Sequence, residues 1–179
     1  PVFAKGEQAG PALQRGSAVH RLLEVLPGVP AVERQAKAEI YLERRLGGSH
    51  AKLAADVVAI LADERFASLF SGTSRAEVSI GGKVTINGEE RAVSGKIDRL
   101  AITENGVLIA DYKTTRPYPK DRTFVPESHV AQLALYAQLL KGIYPDARIG
   151  AALVYTEGPS LHAYDESALS AALSSVTAS

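Results

Sequence analysis

The stretch GKIDRLAITENGVLIADYKTTR, residues 95–116, sets Asp98, Asp111 and Lys113 at the far ends of two runs in which apolar and polar residues alternate. Such alternation is the period of a half-buried strand. Asn105-Gly106 between the runs is the strongest short-range hairpin signal, because a type I′ turn needs positive φ at both central residues. With that turn Asp98 faces Lys113 and Leu100 faces Asp111, and all three charged groups share one face with Leu100, Ile102 and Ile109. Directly opposed Cβ atoms lie roughly 4.5–5.5 Å apart. Two carboxylates beside one ammonium make either a cross-strand ion pair, worth about a few tenths of a kcal/mol, or the anionic half of a divalent-cation site. The hairpin alone leaves both open, and a one-residue bulge would send Asp98 to the other face.

Composition narrows the chemistry. The 179 residues are 46% hydrophobic and 22% charged, the profile of an ordinary globular domain with a real core. No apolar run approaches the length of a membrane span and no signal peptide is seen, so a cytoplasmic protein is expected. Without cysteine there is no disulfide, no Cys-based zinc site and no iron–sulfur cluster. A metal would be held by oxygen and imidazole, which suits Mg²⁺ or Mn²⁺. Net charge is zero, yet beyond the carboxylates Lys113, Arg116, Lys120 and Arg122 outnumber Asp111 and Asp121, where a phosphate backbone or plain solvent would be equally at home. The chain opens on proline and has no methionine, so we expect a piece of a longer protein.

These side chains need elements to position them. LQRGSAVHRLLEVLP reads as a helix with Val19, Leu22, Leu23 and Leu26 inward. His20 lies beside that stripe, with Gly16 one turn earlier leaving room to approach the imidazole. PAVERQAKAEIYLERRLGG and SHAKLAADVVAILADERFASLF give two more helices, the second capped by Ser49. From Arg75 onward, residues rich in Val, Ile and Thr and broken by Gly-Gly and Asn-Gly predict short antiparallel strands, with Glu77 at the start of the sheet. PESHVAQLALYAQLLKGIYP is a helix burying Val130, Leu133, Ala137 and Leu140, and it stacks Gln132 and Tyr136 on one face. A mainly apolar strand, a short edge strand and a last helix follow. The order predicts an α/β (α+β) fold: a central mixed β-sheet flanked by helices, with an N-terminal helical segment. We expect one domain over 1–179, helical over 1–74, a sheet core with its helix over 75–164 and a terminal helix over 165–179.

The set GSAVH at 16–20, Glu77, GKID at 95–98, DYKT at 111–114 and QLALY at 132–136 resembles the RecB-type branch of the PD-(D/E)XK nucleases. HRLLEVLP, GKIDRL, DYKTTRP and QLALYAQLLKGIYP are similar in particular to the C-terminal nuclease domain of AddA-type helicase–nucleases of double-strand-break repair. The resemblance implies a restriction-endonuclease-like fold and a bacterial, cytoplasmic deoxyribonuclease of exonuclease type, leaving a 5′ phosphate. By position it implies His20, Asp98, Asp111 and the Tyr112 carbonyl as ligands for one or two Mg²⁺ or Mn²⁺ ions, and Lys113 as the catalytic lysine with Asp98 and Asp111. Glu77 matches a strand glutamate of less certain role in catalysis. Gln132 and Tyr136 would orient the lysine or contact DNA, and Arg116 would join them in DNA binding. The implied partners are DNA, as a single-stranded end or unwound strand, the helicase portion of the same polypeptide and an AddB-like subunit. GGKVT lacks the spacing and hydroxyl of a phosphate loop, so no motor lies in this stretch. A catalytically silent nuclease-like module binding DNA or a partner is the alternative, and the intact His20, Asp98, Asp111 and Lys113 set speaks against it.

Overall fold

The computed structural model describes residues 10–86 and 88–177. Five strands form one mixed sheet in chain order: β1 (Ser74–Ile86), β2 (Glu89–Thr103), β3 (Gly106–Lys113), β4 (Ile149–Tyr155) and β5 (Ser160–Tyr164). Neighbours are antiparallel except β3 and β4, which run parallel and are joined through helix α4 (Glu127–Ile143). A parallel pair requires such a crossover. Helices α4 and α5 (Glu166–Thr177) pack on one face of the sheet. Helices α1 (Pro11–Val25), α2 (Ala31–Leu46) and α3 (Ala51–Ala62) pack on the other. Covered on both sides, β3 and β4 are apolar nearly throughout, with Ile109 and Leu153 turned to α4 while Ala110, Tyr112, Ala152 and Val154 meet α1 and its neighbours. No helix among the described residues is long and apolar enough to cross a membrane.

Several expectations need correction. Helix α3 is preceded by His50, not capped by Ser49, and no side chain caps it. It ends at Ala62 because the Asp63 carboxylate accepts from Arg65 N and starts a 3₁₀ segment over Glu64–Phe70. Gly81-Gly82 does not break a strand: β1 runs through it, and a Cβ at Gly82 would lie 3.0 Å from the Leu139 side chain of α4. The β2–β3 turn is Glu104-Asn105, not Asn105-Gly106, since Thr103 pairs with Gly106. Gly106, at φ 131, serves a close approach: Val107 N donates to the Arg148 carbonyl at 2.8 Å, and a Cβ on Gly106 would run into that carbonyl. Thr103 Oγ1 donates to Gly106 O at 3.1 Å and closes the loop. The register is therefore two residues away from the expected one, which brings the Asp98 level to Asp111, not Lys113. An even slip preserves the face.

A second irregularity shapes the far end of this hairpin. Ile97 and Leu100, three apart, pack in the same core cluster under α4, so strict alternation fails between them. The break falls where β1 and β2 stop pairing: Ala76↔Arg99 and Val78↔Ile97 flank a gap at Glu77 and Asp98, and Glu77 has φ 54. A non-glycine residue in the left-handed region costs roughly 1–2 kcal/mol. The β2–β3 ladder also ends at Arg99↔Ala110. Both carboxylates thus sit at a gap in the β1–β2 ladder, beside the point where β2 parts from β3.

Candidate active site

Asp98 replaces the missing ladder with its side chain, Oδ2 accepting from the Tyr112 backbone N–H at 2.7 Å. The same carboxylate holds His20: Oδ1 lies 3.5 Å from Nδ1, while Nε2–H donates to the Tyr112 carbonyl at 3.1 Å. His20 reaches this point because α1 buries Val19, Leu22 and Leu23 and lies close to β3. A Cβ on Gly16 would come 2.9 Å from Thr114 Oγ1, so the space kept by that glycine is filled by the residue that follows β3, not left open beside the imidazole. Burial opposes charge on His20, but the hydrogen bond and charge of Asp98, the charge of Asp111 and the Tyr112 carbonyl together push its pKa above 6.5.

Asp111 is buried on β3, and Lys113 Nζ stands 2.7 Å from its Oδ2. Lys113 is an ion-pair partner at hydrogen-bonding distance, and a carboxylate oxygen with that one partner keeps a second lone pair. Burial and the neighbouring Asp98 charge raise the Asp111 pKa against the opposing pull of Lys113 and His20. The second partner of Lys113 is Gln132 Oε1 at 2.9 Å, and Gln132 Nε2 donates to the Tyr136 hydroxyl at 3.2 Å. The Tyr136 ring fills the space over Gly95, where a Cβ would collide with it. One turn of α4 therefore fixes the ammonium through a chain of two side chains. The contacts of Gln132 and Tyr136 run toward Lys113 and the sheet.

Glu77 meets this cluster from β1. Among the described residues, His20, Glu77 and Asp98 each offer a donor atom, all within 4.8 Å of one another. The expected ligand Tyr112 O already touches His20, whereas the Asp111 carboxylate is turned toward Lys113. Imidazole, carboxylates and a carbonyl are the donor set of a hard to borderline divalent cation, and the unused capacity of Asp111 Oδ2 fits the same demand. Glu77 also pairs with Lys96 at 2.9 Å, a partner the sequence did not suggest.

Arg116 stands at the rim, bound to Glu157 after β4, and Arg15 of α1 grips the same carboxylate. Beside Lys113, the parallel register places Tyr155, whose hydroxyl lies 2.8 Å from His129 Nδ1. Burial lifts the Tyr155 phenol to about 12, and burial together with the Lys113 charge lowers the His129 pKa. Arg15, Glu157, His129 and Tyr155 escaped the sequence reading because the β3–β4 pairing that assembles them leaves no local pattern.

The model of the PD-(D/E)XK nuclease superfamily matches residues 3–176. The chain belongs to that superfamily. Its members are metal-dependent nucleases, hydrolases of phosphodiester bonds, and the mixed sheet flanked by helices, with its N-terminal helical segment, is the PD-(D/E)XK α/β fold. A search of curated proteins finds no match. A solved structure described as "Crystal structure of SSO0001" is similar at 15% identity and a TM-score of 0.37, covering 89% of this chain and 73% of that one.

Proposed function

We propose that the protein is a divalent-metal-dependent DNA nuclease, the exonuclease-type module of a bacterial helicase–nuclease of double-strand-break repair. The observation that carries this reading is Lys113, held between Asp111 and Gln132 beside a His20, Glu77 and Asp98 donor group. His20, Asp98, Asp111 and the Tyr112 carbonyl hold Mg²⁺ or Mn²⁺, with Glu77 as an added carboxylate. The ion supplies Lewis acidity toward a phosphodiester oxygen, the leaving oxygen and water. Lys113 orients the attacking water and offsets charge growing on the phosphoryl oxygens. Gln132 aims that ammonium, Tyr136 fixes Gln132, and Arg116 contacts the DNA backbone. Asp98 keeps the Tyr112 carbonyl in place through the neighbouring N–H.

The order of GSAVH, GKID, DYKT and QLALY supports the helicase–nuclease assignment, which brings a motor on the same polypeptide and an AddB-like subunit as partners. Linear DNA incubated with the domain and Mg²⁺ or Mn²⁺, beside Asp111→Ala and Lys113→Ala, tests the activity. Cleavage by the parent alone is expected; equal cleavage by all three would mark a contaminant and end the reading. The helicase context is tested on the full gene product, which should hydrolyse ATP when given DNA ends.

A further inference from the structure

Glu157 is a buried carboxylate with more cations than it needs. Its side chain is 2% exposed, and Arg15 alone satisfies both oxygens, Nε to Oε1 at 2.8 Å and an Nη2 to Oε2 at 3.1 Å. That two-pronged pairing is the preferred geometry of arginine with a carboxylate. Arg116, 64% exposed, nonetheless adds a second guanidinium on Oε2, with Nε at 2.6 Å. Two like charges on one carboxylate leave one positive charge in surplus, which a mere strut between α1 and the loop after β4 does not require.

The surplus charge is also held in place. Thr156, next to Glu157, donates its N–H to the Lys113 carbonyl at 3.0 Å, so this carboxylate is tied to the catalytic strand. Tyr118 packs over Gly158, where any Cβ would meet its ring, and anchors the loop that carries Arg116. Arg15 precedes His20 by five residues on α1, about 7.5 Å along the helix axis. Both guanidiniums are held on Glu157, two residues past Tyr155, the partner of Lys113 in the parallel ladder.

We infer that Arg15 and Arg116, oriented by Glu157, form a clamp for a DNA backbone phosphate neighbouring the cleaved bond. The inference rests on the nuclease reading and deepens it by naming Arg15 as a DNA contact and Glu157 as a positioning residue. An arginine fork suits phosphate as it suits carboxylate, and preset guanidiniums lose less freedom on binding.

Binding of a labelled single-stranded oligonucleotide in EDTA, followed across a salt titration, tests it without cleavage. The slope of log K against log salt should shrink by about 0.7 for either Arg116→Gln or Arg15→Gln alone, each of which removes the surplus charge that meets the one phosphate. Lys37→Gln, on the exposed face of α2 and paired with Glu33, should keep the parent slope. Arg116→Gln leaves the Arg15–Glu157 pair intact, so it decides the matter even where Arg15→Gln folds poorly. Glu157→Gln should weaken binding although it removes a negative charge, and Glu157→Asp should restore part of it. Unchanged slopes in folded arginine variants of a parent that binds and cleaves would overturn the clamp alone, and tighter binding by Glu157→Gln would overturn the orienting role. A parent that neither binds nor cleaves would overturn the nuclease reading and the clamp with it.

Discussion

Two carboxylates shielded from solvent, Asp111 on β3 and Glu157 just beyond β4, live under opposite conditions. Glu157 is over-supplied: burial works against its charge, but hydrogen bonds from Arg15 and Arg116 outweigh that and hold its pKa below 4.5. Asp111 is under-supplied: burial and the nearby Asp98 charge outweigh the charge and hydrogen bond of its single cation, Lys113, and hold its pKa above 3.8. The difference teaches what each position is for. A carboxylate that has all its partners is finished architecture, whereas one left short of positive charge in a buried cluster is set to receive it.

The largest expected effect separates activity from stability. Asp111→Asn should lower DNA cleavage by about 10²–10³-fold, the scale of losing one preorganised electrostatic group, while costing less stability than Glu157→Gln because Lys113 keeps Gln132 as a partner. Glu157→Gln should do the reverse, keeping turnover at saturating DNA. Cleavage rates and melting curves on both variants decide it, and a strongly destabilised Asp111→Asn would break the contrast.

Next in size is the response to metal. If the deficit at Asp111 is the mark of a cation site, Mg²⁺ or Mn²⁺ at a hundredfold excess over Kd should stabilise the fold by about 2.7 kcal/mol, or about 5–10 °C in melting temperature. His20→Ala and Asp98→Asn should abolish that shift. Glu77→Gln should reduce it if the strained strand residue supplies a donor. No metal-dependent shift in the parent would leave the cluster as a plain ion-pair network.

Much of this contrast was legible in the sequence, and its limits have physical causes. Helical spacing placed Val19, Leu22 and Leu23 inward with His20 at the edge, as found, because burial of an apolar stripe dictates a helix orientation. A two-residue register change by itself keeps parity, but Asp98 lies inside the break between Ile97 and Leu100 and beyond the last β2–β3 pair, so its place is set by His20 and the Tyr112 N–H and not by the hairpin alternation. What failed was the assumption that Gly106 answers to its own turn, when it answers to the Arg148 carbonyl, more than forty residues away in the chain. The kink at Glu77 was hidden for the same reason, because nothing local asks a glutamate to take φ 54. Glu157 and Arg15 come together only once β3 pairs in parallel with β4 and α1 docks on both.

A smaller effect is the stability difference itself. Glu157→Gln removes charge-assisted hydrogen bonds to two arginines, one of them partly exposed, and should cost about 2 kcal/mol in denaturant unfolding. A cost below about 0.5 kcal/mol would mean that the arginines are equally content in water.

The smallest effect has the sharpest sign. For Glu157 the unfolded chain binds the proton more readily, so its contribution is complete above 4.5 and is lost as pH falls toward its depressed folded pKa. For Asp111 the folded protein binds the proton more readily, so its ionisation weakens the fold as pH rises from 3.8 through its elevated folded pKa. Denaturant unfolding in EDTA across this acid range should therefore show Glu157→Gln with a flatter loss of stability toward low pH than the parent. Asp111→Asn should show a steeper one, because it no longer gains by protonating a buried carboxylate. If both variants changed the slope in the same direction, the two carboxylates would share one electrostatic state, and the division between finished support and waiting site would fail.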